Sequence, residues 1–413
     1  MKRVRPLLAA IASLALTAAL LALGTSQAAA ASATARPTPH GHGICTPVPL
    51  GSGAPKGAAW PCSEVTSVPP ASARALRPAP RDNGSDSDDP DSPDSLCDKQ
   101  PNSTRLAYCI TRPLRWTYYG PDNSVIGTAE GYLAIYSRLK SVTNANWREH
   151  VIVTLDKKSE KIPAVQMNLQ STCIGQCTTS APLVGTLTNP GDHLGGSIDY
   201  SSSVGQDSEA LSRIHYHVEL NILAPGVPLP TENNDWDGIQ IRCDAKVSSS
   251  SGCIIPEHLA NVTVRESLYH AAAVTYEWAQ KNLQKFGSNN FGTAEHPLHR
   301  GSGGKKEADR KRGITCRSFP DHPSVPDDSC DEFPFAMSNE GGNPPSACVD
   351  ILPQKVGGVW SVTVLHGDEA TARCVRSHVT RVDNEGVGQR ELSAAVNSDR
   401  ILEGEAFQVI IKP

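Results

Sequence analysis

The chain has 413 residues and a slightly acidic balance: 43 Asp and Glu outnumber 38 Lys and Arg, so the formal net charge at pH 7 is −5. This balance excludes a protein that coats nucleic acid through bulk positive charge, and any contact with a polyanion has to be local. The 33 Gly, 32 Pro and 5% aromatic residues are typical of loop-rich folds rather than of helical bundles. A chain of this length is too long for one small core and predicts two domains with linkers.

The N-terminus has the three parts of a secretory signal peptide. Three basic residues within the first five precede an apolar run over residues 6–24, and alanines occupy positions 28–30. We therefore expect a signal peptide over residues 1–30 and a secreted, extracellular protein with no membrane contact after cleavage. The alternative is an uncleaved membrane anchor, because the apolar run is close to the length that spans a bilayer.

Twelve cysteines follow the predicted signal peptide, and an even number in an exported protein predicts disulfides rather than free thiols. Proximity in the sequence predicts four pairs, which are Cys45–Cys62, Cys97–Cys109, Cys173–Cys177 and Cys243–Cys253. The remaining cysteines predict two more bridges whose connectivity stays open; they are Cys316, Cys330, Cys348 and Cys374. The alternative for the third pair is half of a metal site, but no second Cys/His pair at zinc-finger spacing lies nearby.

Residues 31–96 are rich in Pro, Ser, Ala and Gly and contain an acidic run at 82–89. Such a segment cannot bury enough apolar surface to offset the conformational entropy lost on ordering. We therefore expect a flexible linker, with one small loop closed by the first disulfide. A calcium site in the acidic run is the alternative, but the EF-hand spacing is missing.

Residues 97–256 contain short β-type runs separated by turn residues. Over residues 214–220 apolar and polar side chains alternate with the period of two that is typical of a half-exposed strand. Several such strands predict an all-β, sandwich-like domain, whose role the sequence does not indicate. His215 and His217 would share one strand face, where they are either metal ligands or, as we favour here, two ordinary solvent-facing histidines.

A helical period follows over residues 262–283, where apolar residues recur on one side of about five turns. Gly287 is a helix-ending residue. We expect an amphipathic helix within residues 257–287 that connects the β-domain to the last part of the chain, and we assign it no chemistry.

The last segment, residues 288–413, carries the motifs that indicate chemistry. A cluster of cations at 305–317 is followed by the run CDEFPFAMSNEGG at 330–342. This run places three carboxylates beside aromatic residues and a proline, a mixture that surface loops seldom have. The pattern predicts a cleft in which the aromatics pack beneath the acids and the acids converge on a cation.

In these motifs the chain resembles the NucA/NucB family of secreted deoxyribonucleases. The run at 330–342 is similar to the family signature, an Asp-Glu-aromatic-Pro-x-Ala core followed by Glu-Gly-Gly. Basic residues at 309–312 precede it, residues 382–388 resemble the family's Asp-Asn-x-x-x-Gly segment, and residues 397–407 lead into a last strand, in the family's order. The resemblance is confined to the segment 288–413 and leaves the β-domain unexplained.

The resemblance implies metal-dependent hydrolysis of DNA, with Asp331 as the general base that takes a proton from the attacking water. Glu340 and Asn384 are our candidate metal ligands, directly or through water, and Mg²⁺ or Mn²⁺ is the expected metal because such ions prefer oxygen ligands. Glu332 belongs to the catalytic group without a fixed role. Arg312 is the candidate for holding phosphate, since guanidinium pairs bidentately with phosphate oxygens. The further candidates for substrate binding are Lys311, Arg317 and Arg400.

Each of these assignments has a structural alternative. Asp331 could cap a short helix, and Glu332 could be purely structural. Glu340 and Asn384 could be ordinary turn residues beside glycines, and Arg312 could belong to a solvated helix face.

One departure from the family pattern lies between Gly342 and Cys374, where the chain is longer than the compact pattern needs. If Cys348 pairs with Cys374, the insert is a stapled excursion that leaves the domain core intact. If the insert instead reshapes the cleft, the substrate preference changes.

Taken together, the sequence predicts an α+β fold: a small, disulfide-stapled α+β nuclease domain (288–413) preceded by an all-β sandwich-like domain (97–256). The predicted function is that of a secreted, metal-dependent, non-specific endonuclease that contacts DNA through its phosphate backbone. One alternative is a secreted binding module for a wall polymer or a protein, with a degenerate nuclease domain. The other is a nuclease that acts mainly on RNA. The sequence indicates no oligomeric state.

Overall fold

The computed structural model describes residues 43–49, 57, 59–66, 96–97, 102–139, 145–229, 234–248, 250–283 and 291–413. The predicted signal peptide (1–30) lies outside these residues, as does most of the predicted linker (31–96). Within the described ranges, no helix is long and apolar enough to cross a membrane.

The described strands, in chain order, are β1 (Ile44–Cys45), β2 (Trp60–Val65), β3 (Ala107–Tyr119), β4 (Val125–Arg138), β5 (Asn146–Lys158), β6 (Ala164–Gly175), β7 (Cys177–Thr179), β8 (Leu183–Leu187), β9 (His193–Ser202), β10 (Glu209–Leu223), β11 (Asn234–Asp244), β12 (Gly252–Ile254), β13 (Ala260–Arg265), β14 (Leu298–His299), β15 (Asp328–Phe333), β16 (Cys348–Val356), β17 (Val359–His366), β18 (Cys374–Thr380) and β19 (Ala406–Lys412). The described α-helices are α1 (Glu266–Asn282), α2 (Gly304–Thr315), α3 (Arg381–Gly386) and α4 (Ser393–Ser398). A π-helical segment, Val387–Leu392, joins the last two helices, and a 3₁₀ turn, Pro345–Ala347, precedes β16.

The described residues are mainly β, and this corrects the predicted α+β class. Strands hold 50% of them and helices 17%. The predicted small α+β nuclease domain is not what the structure shows either, because its segment shares one compact unit with the preceding strands. The physical reason is strand pairing between distant segments, such as β13 with β19 and β15 with β18, while the helices there are short.

The first part of the chain forms two antiparallel sheets around one hydrophobic core. The larger has seven strands in the order β1-β2-β3-β4-β5-β9-β7, and the smaller has five in the order β12-β11-β10-β6-β8. Buried side chains from both sheets, such as Trp116, Leu133 and Val218, contribute to the same cluster. β1 and β2 fall within the predicted linker, so this part of residues 31–96 is ordered as sheet.

The second part is built on a three-stranded sheet, β13-β19-β14, and a four-stranded sheet, β15-β18-β16-β17. Helix α1 packs against both, and its buried residues Ala272 and Tyr276 share a core with Phe333, Val375 and Phe407. The predicted helix over residues 262–283 starts only at Glu266, since residues 260–265 form β13 and pair in parallel with β19. The segment predicted as a connector is therefore part of this core.

The disulfide predictions are confirmed. All four pairs that sequence proximity predicted are present, and the two open pairings are Cys316–Cys330 and Cys348–Cys374. Cys348 and Cys374 are directly opposite each other on the parallel neighbours β16 and β18. The insert after Gly342 thus contains the hairpin β16–β17, which supplies two strands of the four-stranded sheet and is stapled at its base to β18.

Buried ion pairs join the two parts of the molecule. Glu405 accepts hydrogen bonds from Arg105 at 2.6 Å and from Arg242 at 2.8 Å, both of which come from the first part. Arg400 binds the carboxylate of Asp244, with its Nη2 2.7 Å from Oδ1. These ion pairs fix the position of the segment 399–405 against the strands of the first part.

Candidate active site

A cleft of about 580 Å³ opens in the second part of the molecule. Its walls are helix α2 on one side and the segment from α3 to α4 on the other, and residues of β15 and α1 contribute to its lining. Asp331, Glu332, Asn384, Arg312 and Lys311, all predicted as site residues, line this cleft.

Strand β15, at the edge of the four-stranded sheet, carries the two acids. It pairs with β18, where Asp331 is opposite Ser377 and Glu332 is opposite Arg376. Phe333 and Phe335, which follow the acids, pack edge to face, with ring centroids 5.3 Å apart. Both rings also contact Tyr276, the partner of Asp331, so aromatic side chains pack close to the acids.

Asp331 is a buried carboxylate, only 3% exposed. Its Oδ2 accepts a hydrogen bond of 2.8 Å from the Tyr276 hydroxyl of α1. Burial raises the pKa of Asp331 well above its ordinary value, and the neighbouring Glu332 charge raises it further. Asp331 lies in β15, which excludes the alternative that it caps a helix.

Glu332, the next residue, is equally buried at 3% exposed. Arg312 of α2 donates from Nε to its Oε1 at 3.2 Å. Burial raises the pKa of Glu332 to about 7, although the Arg312 guanidinium lowers it in part. Two adjacent carboxylates repel each other when both are ionised, and a bound cation would offset that repulsion.

Asn384 lies beside these acids because α3 starts at a capping threonine. The Thr380 Oγ1 accepts a hydrogen bond of 3.3 Å from the Asp383 backbone amide. One turn into the helix, the Asn384 Nδ2 donates to the Cys330 carbonyl at 2.9 Å and to the Ser329 hydroxyl at 3.0 Å. Its Oδ1 has no hydrogen-bond partner among the described residues, so it is free to act as an oxygen ligand.

The basic residues of α2 are mostly engaged with acids of the same helix. Lys305 pairs with Asp309 at 2.7 Å, and Arg312 reaches Asp309 at 3.3 Å from Nη1. The Arg312 Nη2 makes no hydrogen bond to any described residue and is available to a ligand. Lys311 lines the cleft, but its Nζ donates to the Ser338 carbonyl at 2.6 Å.

The carboxylate of Glu340, unlike the Oδ1 of the other predicted ligand Asn384, is bound to a residue outside the described lining of the cleft. Both its oxygens bind His299, Oε2 the backbone amide at 3.0 Å and Oε1 the ring Nδ1 at 2.8 Å. Glu340 is also absent from the described residues that line the cleft. Within the described residues its carboxylate holds His299, and its assignment as a metal ligand stays a prediction.

Two predicted substrate-binding arginines also lie elsewhere. Arg400 is 6% exposed and bound to Asp244, so it is not accessible to a phosphate, and its assignment to substrate binding is corrected. Arg317 is exposed but lies outside the described lining of the cleft. The basic run at 305–317 predicted Arg317 by proximity, but α2 ends at Thr315, before that residue.

The cleft contains residues that the sequence did not single out. Tyr276 lies on a helix to which no chemistry was assigned, and it reaches Asp331 across the core. Arg300 and Arg381 also line the cleft. Arg300 donates to the Ile401 carbonyl, and Arg381 pairs with Asp327 at 3.3 Å, so both are already engaged. The helical periodicity could not predict this role of Tyr276, because a residue on the apolar face of a helix normally only packs in the core.

Comparison of the chain with protein-family models, with curated proteins and with solved structures finds no match.

Proposed function

We propose that this protein is a secreted, metal-dependent endonuclease that hydrolyses phosphodiester bonds of DNA in the cleft of Asp331. The observation that carries the proposal is the pair of consecutive buried carboxylates, Asp331 and Glu332, which share one cleft with a guanidinium and a free amide oxygen. Secretion is supported by the six disulfides, because such bonds persist in oxidising compartments.

The donor atoms of the cleft fit a hard divalent cation. The oxygens of Asp331 and Glu332 and the Oδ1 of Asn384 belong to residues that line the cleft, and such an oxygen donor set favours Mg²⁺ or Mn²⁺. Two carboxylates suffice, since Mg²⁺ retains several water ligands. When bound, such an ion neutralises charge on the reacting phosphate and activates water.

The protein's own residues have distinct roles in this proposal. Asp331 accepts the proton of the attacking water, and its raised pKa makes it a stronger base once it is ionised. Tyr276 fixes the orientation of that carboxylate through its hydrogen bond. Arg312 binds a phosphate oxygen through Nη2, while its Nε keeps Glu332 in place.

The same residues support cleavage without sequence specificity. The charged groups of the cleft recognise phosphate, and phosphate contacts position a strand without reading its bases. A nuclease of this kind needs no element that enters a groove of the duplex.

The test is plasmid nicking by the oxidised protein with Mg²⁺ or Mn²⁺, with and without EDTA. Asp331→Asn keeps the side-chain shape and removes the base, so we expect a rate loss of about 100-fold or more. Glu369→Gln, an exposed acid on the loop before β18, is the matched control and should retain the wild-type rate.

Absence of cleavage by the folded wild-type protein with either metal would contradict the proposal, as would equal rates in wild type and Asp331→Asn. Total RNA digested in parallel decides the sugar preference. If RNA is degraded faster than plasmid, the cleft belongs to a ribonuclease rather than to a deoxyribonuclease.

A further inference from the structure

A second group of ligating side chains lies on the five-stranded sheet, in the part of the molecule to which the proposed nuclease activity assigns no role. His215 and His217 of β10 and Asp235 of β11 place their ligand atoms within 4.8 Å of one another. We propose that these three residues bind a zinc ion.

The register of the sheet brings the three residues together. His215 is directly opposite Asp237, and His217 is directly opposite Asp235. Tyr216, between the histidines, is fully buried and points into the core, so both imidazoles lie on the other face of the strand. The two rings meet edge to face with centroids 4.7 Å apart.

A β-bulge supports this arrangement. Between Arg213 and His215 the register shifts, and β11 carries an extra residue near Gly238. A side chain at that glycine would begin 2.7 Å from the Tyr216 ring, so the close approach of the two strands requires glycine there. The bulge thereby sets Asp235 and Asp237 opposite the two histidines.

Asp237 supplies the outer support that a zinc-binding histidine usually has. Its Oδ1 lies 2.6 Å from the His215 Nδ1, which orients the ring and leaves Nε2 as the ligand atom. His217 has its Nδ1 3.2 Å from the Asp235 Oδ1. Zinc–ligand bonds of about 2.0–2.2 Å place neighbouring ligand atoms about 3.3 Å apart. The three ligand atoms, which lie within 4.8 Å of one another, therefore have to move closer together when zinc binds.

The donor set selects the metal. Two imidazoles and one carboxylate suit zinc and related transition metals, whereas Mg²⁺ and Ca²⁺ require oxygen ligands. Each imidazole is 27% exposed, so a fourth position is open to water or to another ligand. This site is thus chemically different from the all-oxygen cleft around Asp331.

The competing interpretation is two independent His–Asp ion pairs on a solvated strand face. Ion pairs of that kind bind no metal and do not depend on one another. Zinc binding to the intact protein, and its loss on removal of a single ligand, distinguishes the two.

The experiment is a calorimetric titration of the oxidised, chelator-stripped protein with zinc chloride. His217→Gln and Asp235→Asn should each remove one zinc site. Asp237→Asn should keep the site and weaken it by about 10–100-fold, because it removes only the support of His215. His150→Gln, at an exposed histidine of β5, is the matched control and should bind as the wild type does.

Asp331→Asn keeps this test separate from the nuclease proposal, because it changes only the cleft. Zinc uptake that survives Asp331→Asn and disappears in Asp235→Asn supports the site. Equal uptake in the wild type and Asp235→Asn, or loss only in Asp331→Asn, overturns it. Asp235→Asn is nearly isosteric at an exposed position, so it decides the matter even if His217→Gln fails to fold.

Discussion

Glu149 is a carboxylate with no exposed surface, held in the core of the first part by three tyrosines. Tyr108 donates to its Oε1 at 2.6 Å, Tyr200 donates to its Oε2 at 2.7 Å, and Tyr216 donates to Oε1 as well. Burial nevertheless raises the pKa of Glu149, since the three hydrogen bonds only partly offset the loss of water.

This pKa predicts how stability depends on pH. Because the pKa is higher in the folded state, the folded protein holds the Glu149 proton at pH values where the unfolded chain releases it. The contribution to stability is full below the ordinary carboxyl pKa and falls as the pH rises towards the folded-state pKa. We expect Glu149→Gln, which cannot ionise, to gain stability relative to the wild type as the pH rises above the ordinary carboxyl pKa of about 4.3.

The measurement is urea unfolding of both proteins at several pH values. The glutamine amide can donate to the Tyr200 oxygen while that hydroxyl turns to Ser171, 3.0 Å away, so the network survives. Glu149→Ala leaves three buried hydroxyls without their acceptor and should lower the free energy of unfolding by about 3 kcal/mol or more. Stability curves of wild type and Glu149→Gln that stay parallel with pH would show that Glu149 does not titrate in this range.

Arg400 gives a second prediction for a single residue. Its guanidinium binds the buried carboxylate of Asp244 through Nε at 2.9 Å and Nη2 at 2.7 Å. Arg400→Ala leaves that carboxylate with Arg242 at 3.8 Å, and we expect unfolding to become easier by about 3–5 kcal/mol. The KM for DNA, measured well below the unfolding temperature, should not change.

Arg317→Ala is the matched control, because Arg317 is exposed and its loss should change stability by no more than about 0.5 kcal/mol. A raised KM in Arg400→Ala with unchanged stability would instead return Arg400 to the substrate-binding group.

The contrast between these residues shows what sequence can predict about a site. Asp331 and Glu332 are adjacent, and the residues around them mark a cleft, so their position follows from a local pattern. Arg400 is bound by Asp244 across 156 positions, and no local pattern carries that pairing. The same holds for Tyr276, whose partner Asp331 comes from another element.

Strand β19 is the element on which the second part depends, because it is the centre of the three-stranded sheet. It pairs in parallel with β13 and antiparallel with β14. Phe407 points into the core with no exposed surface, and Gln408 points to the other face. Phe407→Ala should lower the free energy of unfolding by about 3–5 kcal/mol through the cavity it leaves.

Gln408→Ala is the neighbouring control, and its effect on the free energy of unfolding should stay within about 0.5 kcal/mol because its bond to Asn261 is exposed. Chemical unfolding of both variants is the measurement. Equal destabilisation would mean that β19 is held by its backbone pairing rather than by its packing.

The start of α1 shows why element boundaries were harder to predict than element types. Val262 and Val264 fit a helical face as well as they fit the alternation of a strand. Their parallel pairing with Val409 and Ile411 at the end of the chain decides between the two. Such pairing between distant segments also explains why the C-terminal part is richer in β-structure than its local pattern indicated.

At the scale of the whole molecule, the net charge of −5 limits how DNA can be attracted. Around the cleft, the cations of α2 are largely neutralised by acids on the same helix, chiefly by Asp309, which contacts both Lys305 and Arg312. Phosphate binding should therefore release few counterions, and the KM for DNA should depend only weakly on salt concentration.

Asp309→Asn frees those two cations without touching Asp331 or Glu332. We expect a lower KM for DNA. We also expect KM to rise more steeply with salt, with the slope of log KM against log salt concentration larger by up to about two, one for each freed cation. Asp207→Asn removes the same charge from an exposed turn of the first part, where its positive φ of 55° is one that asparagine accepts readily. Cleavage rates of both variants over a range of salt concentrations separate a local effect from one of net charge. If the two variants shift KM equally, DNA responds to the overall charge of the protein and the cations of α2 have no special role in binding it.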